Sequence, residues 1–319
     1  MSSALTITDR IPFEHQLGTD IRAAHTVDEA LTIAGLNWGL RDIPGDSVTL
    51  MGADGITIGS MPGRRFITRD DDNTILAAVG SRYTTIDNAA AFEVADHAHA
   101  LGAQFDAAGE IDHGRTTYLS MTIPEATTAV GGKDPVEFKV VMSTSHAGEG
   151  AAVQSVTARR LVCTNGLTVG VDNGSTPRTW SIRHSASADQ RLIEARTAMQ
   201  GAMQYAKAFT AHAEALIASP MTTNEFDRFL AELDPRPDEA RKTSVTRWEN
   251  RRNTLMDLWG TAFTQEEGRH TRWAALNSVG EFLDWHKNTR GGDSARALSQ
   301  FNDTNAATRQ RAFRLLQPA

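Results

Sequence analysis

The hydrophobic pattern of this 319-residue chain changes its period near Pro177. Between Val48 and about residue 170, apolar and polar residues alternate in short runs that end in turn-forming residues, which is typical of β-strands. After Pro177, apolar residues recur every three or four positions, which is typical of amphipathic helices. Strands followed by helices predict an α+β fold: an antiparallel β-rich N-terminal unit with a packed helix, then an all-helical C-terminal region.

The same pattern divides the chain into three predicted parts. Residues 1–25 form an irregular N-terminal arm, residues 26–180 an α+β domain with an antiparallel sheet, and residues 181–319 a helical region packed on it. In the α+β part we expect helices over Thr26–Trp38 and Ala89–Leu101, and hairpin turns at residues 70–73 and 146–150. In the helical region we expect helices over residues 187–218, 223–233, 237–262, 271–288 and 305–316. Thr26 and Thr271 are the predicted N-caps of the helices that begin with them.

Charge is divided unequally along the chain. The formal net charge is −7. Residues 1–135 carry 9 Lys/Arg and 19 Asp/Glu, a net charge of −10, whereas residues 136–319 carry 23 Lys/Arg and 20 Asp/Glu, a net charge of +3. A polyanion should therefore prefer the second part. Only five residues are lysine, so the positive charge is mostly guanidinium, which suits forked contacts with phosphate. A GC-rich genome gives the same bias through codon usage.

The composition also excludes some classes of protein. One cysteine permits no internal disulfide and no paired-cysteine metal or redox site, which favours a reducing compartment. The first residues lack the basic and apolar segments of a signal peptide, and no run approaches the roughly 18 apolar residues of a membrane span. The sequence therefore predicts a soluble, cytoplasmic protein with no membrane partner.

The strand predicted over residues 151–164 carries two adjacent arginines, Arg159 and Arg160. Because side chains alternate along a strand, the two point to opposite faces. Together with Lys139 on the preceding strand and with Arg178 and Arg183 further on, they are candidates for a surface that follows a phosphate backbone. The alternative is a solvated strand face paired with the acidic N-terminal half.

A second basic group lies in the helix predicted over residues 237–262. Helical spacing puts Arg247 and Arg251 on one face, beside Trp248. Basic side chains next to an aromatic ring are typical of nucleic-acid contacts, and Tyr83 is a further candidate for stacking on a base. The alternative is a solvated helix face with Trp248 in the core.

Few residues are candidates for covalent chemistry. Cys163 needs a base to act as a nucleophile, and His146 or His184 would have to approach it in space. A lone cysteine in an apolar strand is more often a small core residue, which is the interpretation we favour. The HExxH, GxSxG and phosphate-binding glycine-loop sequences are absent from the chain. We therefore predict no catalytic residue, no metal site and no cofactor.

Two strings, Arg160–Asn165 and Gly268–His286, carry a resemblance to a known family. With them the chain resembles the phage/plasmid-like protein family (domain of unknown function 932), although Arg272 and the Ser278–Gly280 segment depart slightly from its pattern. The resemblance extends from about residue 15 to 290. It implies an origin in phages, prophages or plasmids and implies no active site. Weaker matches are Leu17-Gly18, Arg82-Tyr83 through Asn88, Phe92 and Arg183-His184.

A mobile-element origin raises the expectation of DNA transactions. The leading hypothesis is a DNA-binding protein that binds single strands non-specifically, supports annealing or recombination, and forms a homo-oligomer like the ring-forming annealing proteins of phages. A second hypothesis is a non-enzymatic assembly protein or inhibitor of host defence that acts on a host or phage protein partner. A third is a nuclease or hydrolase that uses His146 or His184 with Cys163.

Overall fold

The computed structural model describes residues 10–47, 50–51, 53, 55, 57–59, 61–148, 153–162, 164, 166–167, 169–171, 179–181, 188–238 and 242–318. Its helices are α1 (Phe13–Gln16), α2 (Val27–Ala34), α3 (Asn88–Phe92), α4 (Val94–Ala100), α5 (Ala188–Ile217), α6 (Thr223–Leu233), α7 (Lys242–Thr261), α8 (Arg272–Glu281), α9 (Gly292–Phe301) and α10 (Ala306–Leu316). Its strands are β1 (Gly18–Asp20), β2 (Leu40–Pro44), β3 (Leu50–Met51), β4 (Thr57–Gly59), β5 (Arg64–Arg69), β6 (Ile75–Gly80), β7 (Gln104–Ile111), β8 (Thr116–Thr122), β9 (Thr128–Val130), β10 (Asp134–Ser145), β11 (Val153–Arg160) and β12 (Thr179–Ser181). A single π-helical turn, Phe282–His286, continues α8.

Among the described residues, the strands form one large antiparallel sheet and two small ones. The large sheet has the order β1-β7-β8-β10-β11-β12, and β9 pairs with the start of β10. A second sheet has the order β2-β5-β6, and β3 pairs with β4. Antiparallel sheets in the N-terminal half and helices in the C-terminal region confirm the predicted α+β class.

β10 and β11 form the hairpin that the sequence predicted. Val136 is opposite Arg160 at one end of the ladder, and Ser143 is opposite Val153 at the other. β11 ends at Arg160, earlier than predicted, because the backbone turns there and the Thr164 amide donates to the Arg160 carbonyl at 3.0 Å. Cys163 and Asn165 lie outside the described residues.

One face of the large sheet is apolar and carries the main core. Phe138 of β10 packs edge-on against Phe209 of α5, with ring centroids 5.7 Å apart, and against Tyr205 at 6.3 Å. Phe209 in turn contacts Trp273 of α8 at 6.2 Å. These buried rings join the helical region to the sheet, because burial of large aromatic side chains contributes heavily to core stability.

The opposite face of the same sheet is largely polar. Lys139 and Ser143 of β10, and Thr157 and Arg159 of β11, share this face because every second residue of a strand points to the same side. Helices α1 and α9 cover it, and Phe13 of the former meets Phe301 of the latter at 5.9 Å. Two of the basic residues that the sequence marked, Lys139 and Arg159, therefore lie on a face that helices cover.

Residues 10–25, expected to be irregular, contain α1 and β1. Strand β1 pairs with β7 and adds an edge to the large sheet, which satisfies its backbone hydrogen bonds. Gly18 is required at this pairing, because a Cβ there would lie 2.3 Å from the Ala108 carbonyl oxygen and 2.4 Å from the Tyr118 hydroxyl.

Helix starts follow the predicted capping residues. The Thr26 hydroxyl accepts from the Glu29 amide at 3.2 Å, and the Thr271 hydroxyl accepts from the Ala274 amide at 3.2 Å. Thr271 opens α8, whose residues from Trp273 to Glu281 are all buried. In the described ranges, no helix has both the length and the apolar character to cross a membrane.

Candidate nucleic-acid interface

Arg159 lies inside the protein, on the polar face of the sheet. Its Nη2 donates to Glu14 Oε1 of α1 at 2.5 Å, and both side chains are almost fully buried. The guanidinium carbon also lies 5.5 Å from the centre of the Phe13 ring. This arginine therefore fixes α1 to the sheet.

Arg160 points to the other side of the strand, as alternation predicts, and is buried there too. Its Nε donates to Asp134 Oδ2 at 2.5 Å, and its Nη1 donates to Gln265 Oε1 at 3.3 Å. Trp273 Nε1 donates to the same Asp134 oxygen at 2.7 Å. The pair thus connects the sheet to α8 and to the segment before it.

Lys139 is the third predicted cation that is buried. Its Nζ donates to Asp106 Oδ2 at 2.7 Å and lies 3.7 Å from Glu137. His15 Nε2 lies 3.1 Å from the other Asp106 oxygen. Burial by itself raises the pKa of Asp106, but the contacts with His15 and Lys139 outweigh it and hold that pKa below its usual range.

The carboxylates that pair with these three cations, Glu14, Asp134 and Asp106, all belong to the acidic segment 1–135. Pairing with the N-terminal half was the alternative interpretation, although we expected it at a solvated surface. Buried ion pairs form because a charge removed from water needs a partner. All three cations are buried and paired, which corrects the expectation that they form a surface that follows a phosphate backbone.

Of the candidates Tyr83, Arg178 and Arg183, only Tyr83 lies among the described residues. Tyr83 is half-buried beside the second sheet, and its hydroxyl donates to the Ser145 carbonyl at 3.4 Å. Burial raises the pKa of its phenol, with a smaller contribution from the charge of Asp42. Arg178 and Arg183 lie outside the described residues, as do Cys163 and His184.

His146, considered as a base, is a buried neutral side chain. Its Nε2 lies 2.9 Å from Asn88 Oδ1, and its ring packs edge-on against Trp38 at 5.3 Å. Burial lowers the pKa of His146 to about 4, and the charge of Asp87 opposes that shift. These contacts are those of a packing residue.

An exposed basic site lies elsewhere, between α7 and the turn that follows α8. Two predicted residues, Arg247 and Arg251, line this cleft of about 470 Å³, and no carboxylate lines it in the part of the chain that the structure describes. We call it the basic cleft. Its lining comprises Arg247, Asn250, Arg251, Thr254, Phe282, His286, Lys287, Asn288 and Arg290.

The cations of the basic cleft differ in their partners. Arg247 and Arg290 are exposed, and neither has an acidic partner among the described residues. Arg251 donates through Nε and Nη2 to Asp234 Oδ2, at 2.9 and 2.7 Å. Lys287 likewise has no acidic partner among the described residues, and its Nζ donates to the Asn305 side-chain carbonyl at 2.6 Å. Two exposed guanidinium groups and one ammonium are thus left to attract anions.

Trp248 does not offer a free ring to this cleft. Its Nε1 donates to the Asp234 carbonyl at 2.7 Å. The guanidinium carbons of Arg236 and Arg252 lie 5.8 and 5.6 Å from its ring. The half-buried tryptophan therefore stabilises the start of α7, and its ring is in contact with these two arginines.

The π-helical turn Phe282–His286 supplies part of the second wall of the basic cleft. A π-turn inserts an extra residue per turn, and such turns are frequent at functional sites. Here Phe282 and His286 line the cleft, whereas Asp284 is buried and accepts from the Gly166 amide at 3.1 Å. Sequence reasoning missed His286, Lys287 and Arg290, although three basic residues within 286–290 and no acid form a recognisable pattern.

The fold and the cleft together define an α+β protein with a cationic cleft on its helical part. The chain belongs to the family described as Domain of unknown function (DUF932), whose family model matches residues 75–309, more than two thirds of its length. That range contains both walls of the basic cleft. Searches of curated proteins and of solved structures found no match.

Proposed function

We propose that this protein binds single-stranded DNA non-specifically, and that the basic cleft is where the phosphate backbone lies. The observation that supports this most is the cleft's composition, with four Lys/Arg side chains, one histidine and no carboxylate among its described lining residues. A cationic groove that attracts the backbone supplies most of the affinity of non-specific nucleic-acid binding.

The proposed contact with the DNA backbone lies on α7 and the turn after α8, whereas the sequence had favoured the β10–β11 hairpin. Arg247 and Arg251 remain from the original candidates, and Lys287 and Arg290 join them. Arginine suits this role because its planar fork matches two phosphate oxygens and its charge persists at any physiological pH.

The acidic net charge does not argue against this proposal. Three of the N-terminal carboxylates, Glu14, Asp106 and Asp134, are used internally as partners of buried cations. The second part of the chain is positive, and a local field of that sign determines where a polyanion approaches.

The biological setting belongs to the same proposal. We infer a phage, prophage or plasmid origin and an action in the host cytoplasm from the resemblance to phage and plasmid proteins that the strings Arg160–Asn165 and Gly268–His286 carry. In such a setting, a single-strand binder would support annealing or recombination, acting as a homo-oligomer.

Fluorescence anisotropy of a labelled single-stranded oligonucleotide tests the proposal. We expect binding at low salt that weakens steeply as salt rises, with a log–log slope of about −3 if four phosphates are contacted at about 0.7 each. An oligonucleotide with an uncharged backbone is the matched control and should not bind. Absence of binding at low salt, or equal binding of the uncharged control, contradicts the proposal. Capture of an acidic protein partner without any DNA binding would favour the protein-interaction hypothesis.

A further inference from the structure

A second cavity, of about 300 Å³, lies between the polar face of the large sheet and helices α1, α9 and α10. We call it the sheet cavity. Its floor consists of short side chains on β10 and β11, among them Ser143, Ser155 and Thr157. Protein interiors are normally packed to the density of organic crystals, so an open space over a covered sheet face is unusual.

The floor of the sheet cavity carries hydroxyl groups that make few hydrogen bonds to the rest of the protein. The Ser143 and Thr157 hydroxyls have no hydrogen-bond partner among the described residues, and Ser155 Oγ reaches only the Val141 carbonyl at 3.4 Å. Each hydroxyl can donate one hydrogen bond and accept two. The floor therefore offers a row of groups of both kinds.

The walls add planar polar groups of both signs. Arg159 and Arg309 line the cavity, and ion pairs with Glu14 and Asp284 hold their guanidinium groups in place. Asp284 lies beside them, paired with Arg309, and Gln300 completes this wall. Nearly full burial of both arginines means that their geometry is fixed by the surrounding protein.

One wall is aromatic. Phe13 and Phe301 both line the cavity, with their rings in an edge-to-face arrangement. Ring faces of this kind pack against apolar C–H groups, whereas the facing hydroxyls and amides require polar ones.

The ion pairs around the sheet cavity leave no excess positive charge, in contrast to the basic cleft, because two arginines are paired with three carboxylates. Glu14 neutralises Arg159, and Asp284 neutralises Arg309. Asp303, also in the lining, adds a further carboxylate that pairs with Arg309 at 2.5 Å. A phosphate dianion therefore gains nothing here. The complementary ligand is uncharged, carries both donors and acceptors, and has an apolar face.

We propose that the sheet cavity binds a hydroxylated sugar ring, either as a free monosaccharide or as the sugar of a nucleoside. Vicinal hydroxyls satisfy the serine and threonine row and the planar side chains of the wall, and ring C–H groups pack on Phe13 or Phe301. The volume is at the lower end of the range for small-molecule sites, which suits a ligand of this size. This inference does not depend on DNA binding at the basic cleft.

Titration calorimetry on the full chain tests it with four probes: ribose, cytidine, deoxycytidine and cytosine. We expect ribose or the nucleosides to bind and cytosine, which lacks the sugar, to bind at least tenfold more weakly. Binding of ribose would identify a free sugar as sufficient, and binding of the nucleosides alone would identify the nucleoside as the ligand. Equal binding of cytosine and cytidine would overturn the proposal, as would no binding of any probe at millimolar concentration.

A double variant, Ser155→Val with Thr157→Val, removes two floor hydroxyls and leaves the ion pairs in place. It should fold and lose at least tenfold in affinity for the bound probe. Thr122→Val, on the same sheet but outside the cavity, is the control and should bind like the wild type. Wild-type affinity in the double variant would exclude the sheet cavity as the site.

Discussion

Arg159 and Glu14 form an ion pair inside the protein, where the guanidinium Nη2 lies 2.5 Å from the carboxylate and neither side chain is appreciably exposed. Glu14 also accepts through its backbone carbonyl from the Tyr118 hydroxyl at 2.7 Å. Together these contacts fix α1 on the polar face of the sheet. A residue selected as a phosphate ligand is thus part of the structural core.

We predict that Glu14→Leu destabilises the protein by about 3–5 kcal/mol, because it leaves the Arg159 charge buried without its partner. Combining Glu14→Leu with Arg159→Met should recover most of that loss, since both charges are then removed. Urea unfolding followed by circular dichroism measures both values. Arg22→Ala breaks an exposed pair with Asp20 and is the control, with an expected change below about 1 kcal/mol. A Glu14→Leu variant as stable as the control would show that the buried pair is not the anchor of α1.

The stability of the protein should decrease in mild acid partly because of His146. Its pKa is about 4 in the folded protein, against 6.5 in an unfolded chain, so the unfolded state binds the proton more readily. The contribution is fully present above pH 6.5 and is lost as pH falls towards 4. Between pH 7 and pH 5 this amounts to roughly 2 kcal/mol.

Unfolding free energies of wild type and His146→Gln at pH 7 and pH 5 measure this contribution. The variant, which cannot protonate at this position, should lose less stability on acidification than the wild type. Identical pH dependence in the two proteins would contradict a buried neutral His146.

Thr271 caps α8, the helix at the centre of the helical region. Thr271→Ala should cost about 1 kcal/mol, because the Ala274 amide loses its side-chain acceptor. Thr271→Ser retains the hydroxyl and is the matched control. Thermal unfolding of both variants distinguishes the cap from the methyl group, and an equal loss in the two would assign the effect to the methyl group.

Much of the fold could be predicted from periodicity and capping residues. The β10–β11 hairpin, the caps at Thr26 and Thr271, and the helix ending at Leu316 were all expected from local sequence. The role of residues 10–25 was not, because β1 is defined by pairing with β7 more than 80 positions later. Such distant pairing leaves no periodic pattern in the segment itself.

The site was harder to predict than the fold. Alternation along β11 gave the opposite directions of Arg159 and Arg160, but it could not give their burial, since Glu14 and Asp134 come from distant segments. Arg247 and Arg251 were found because helical spacing is local. Arg290 was missed because it lies beyond the π-helical turn, and tertiary packing places it in the same cleft as Arg247 and Arg251 of α7.

Charge reversal at Arg247 and Arg290, the two cleft arginines with no acidic partner among the described residues, determines whether the basic cleft binds the phosphate backbone. Single-stranded DNA affinity should be measured across a salt series for wild type, for Arg247→Glu with Arg290→Glu, and for Arg314→Glu, an exposed arginine of α10 outside the cleft. We predict that the double variant loses at least about tenfold in affinity at low salt. The magnitude of its log–log salt slope should decrease by about 1.4, while the control binds like the wild type. Equal affinity and equal slope in all three proteins would show that the basic cleft is not the DNA-binding site.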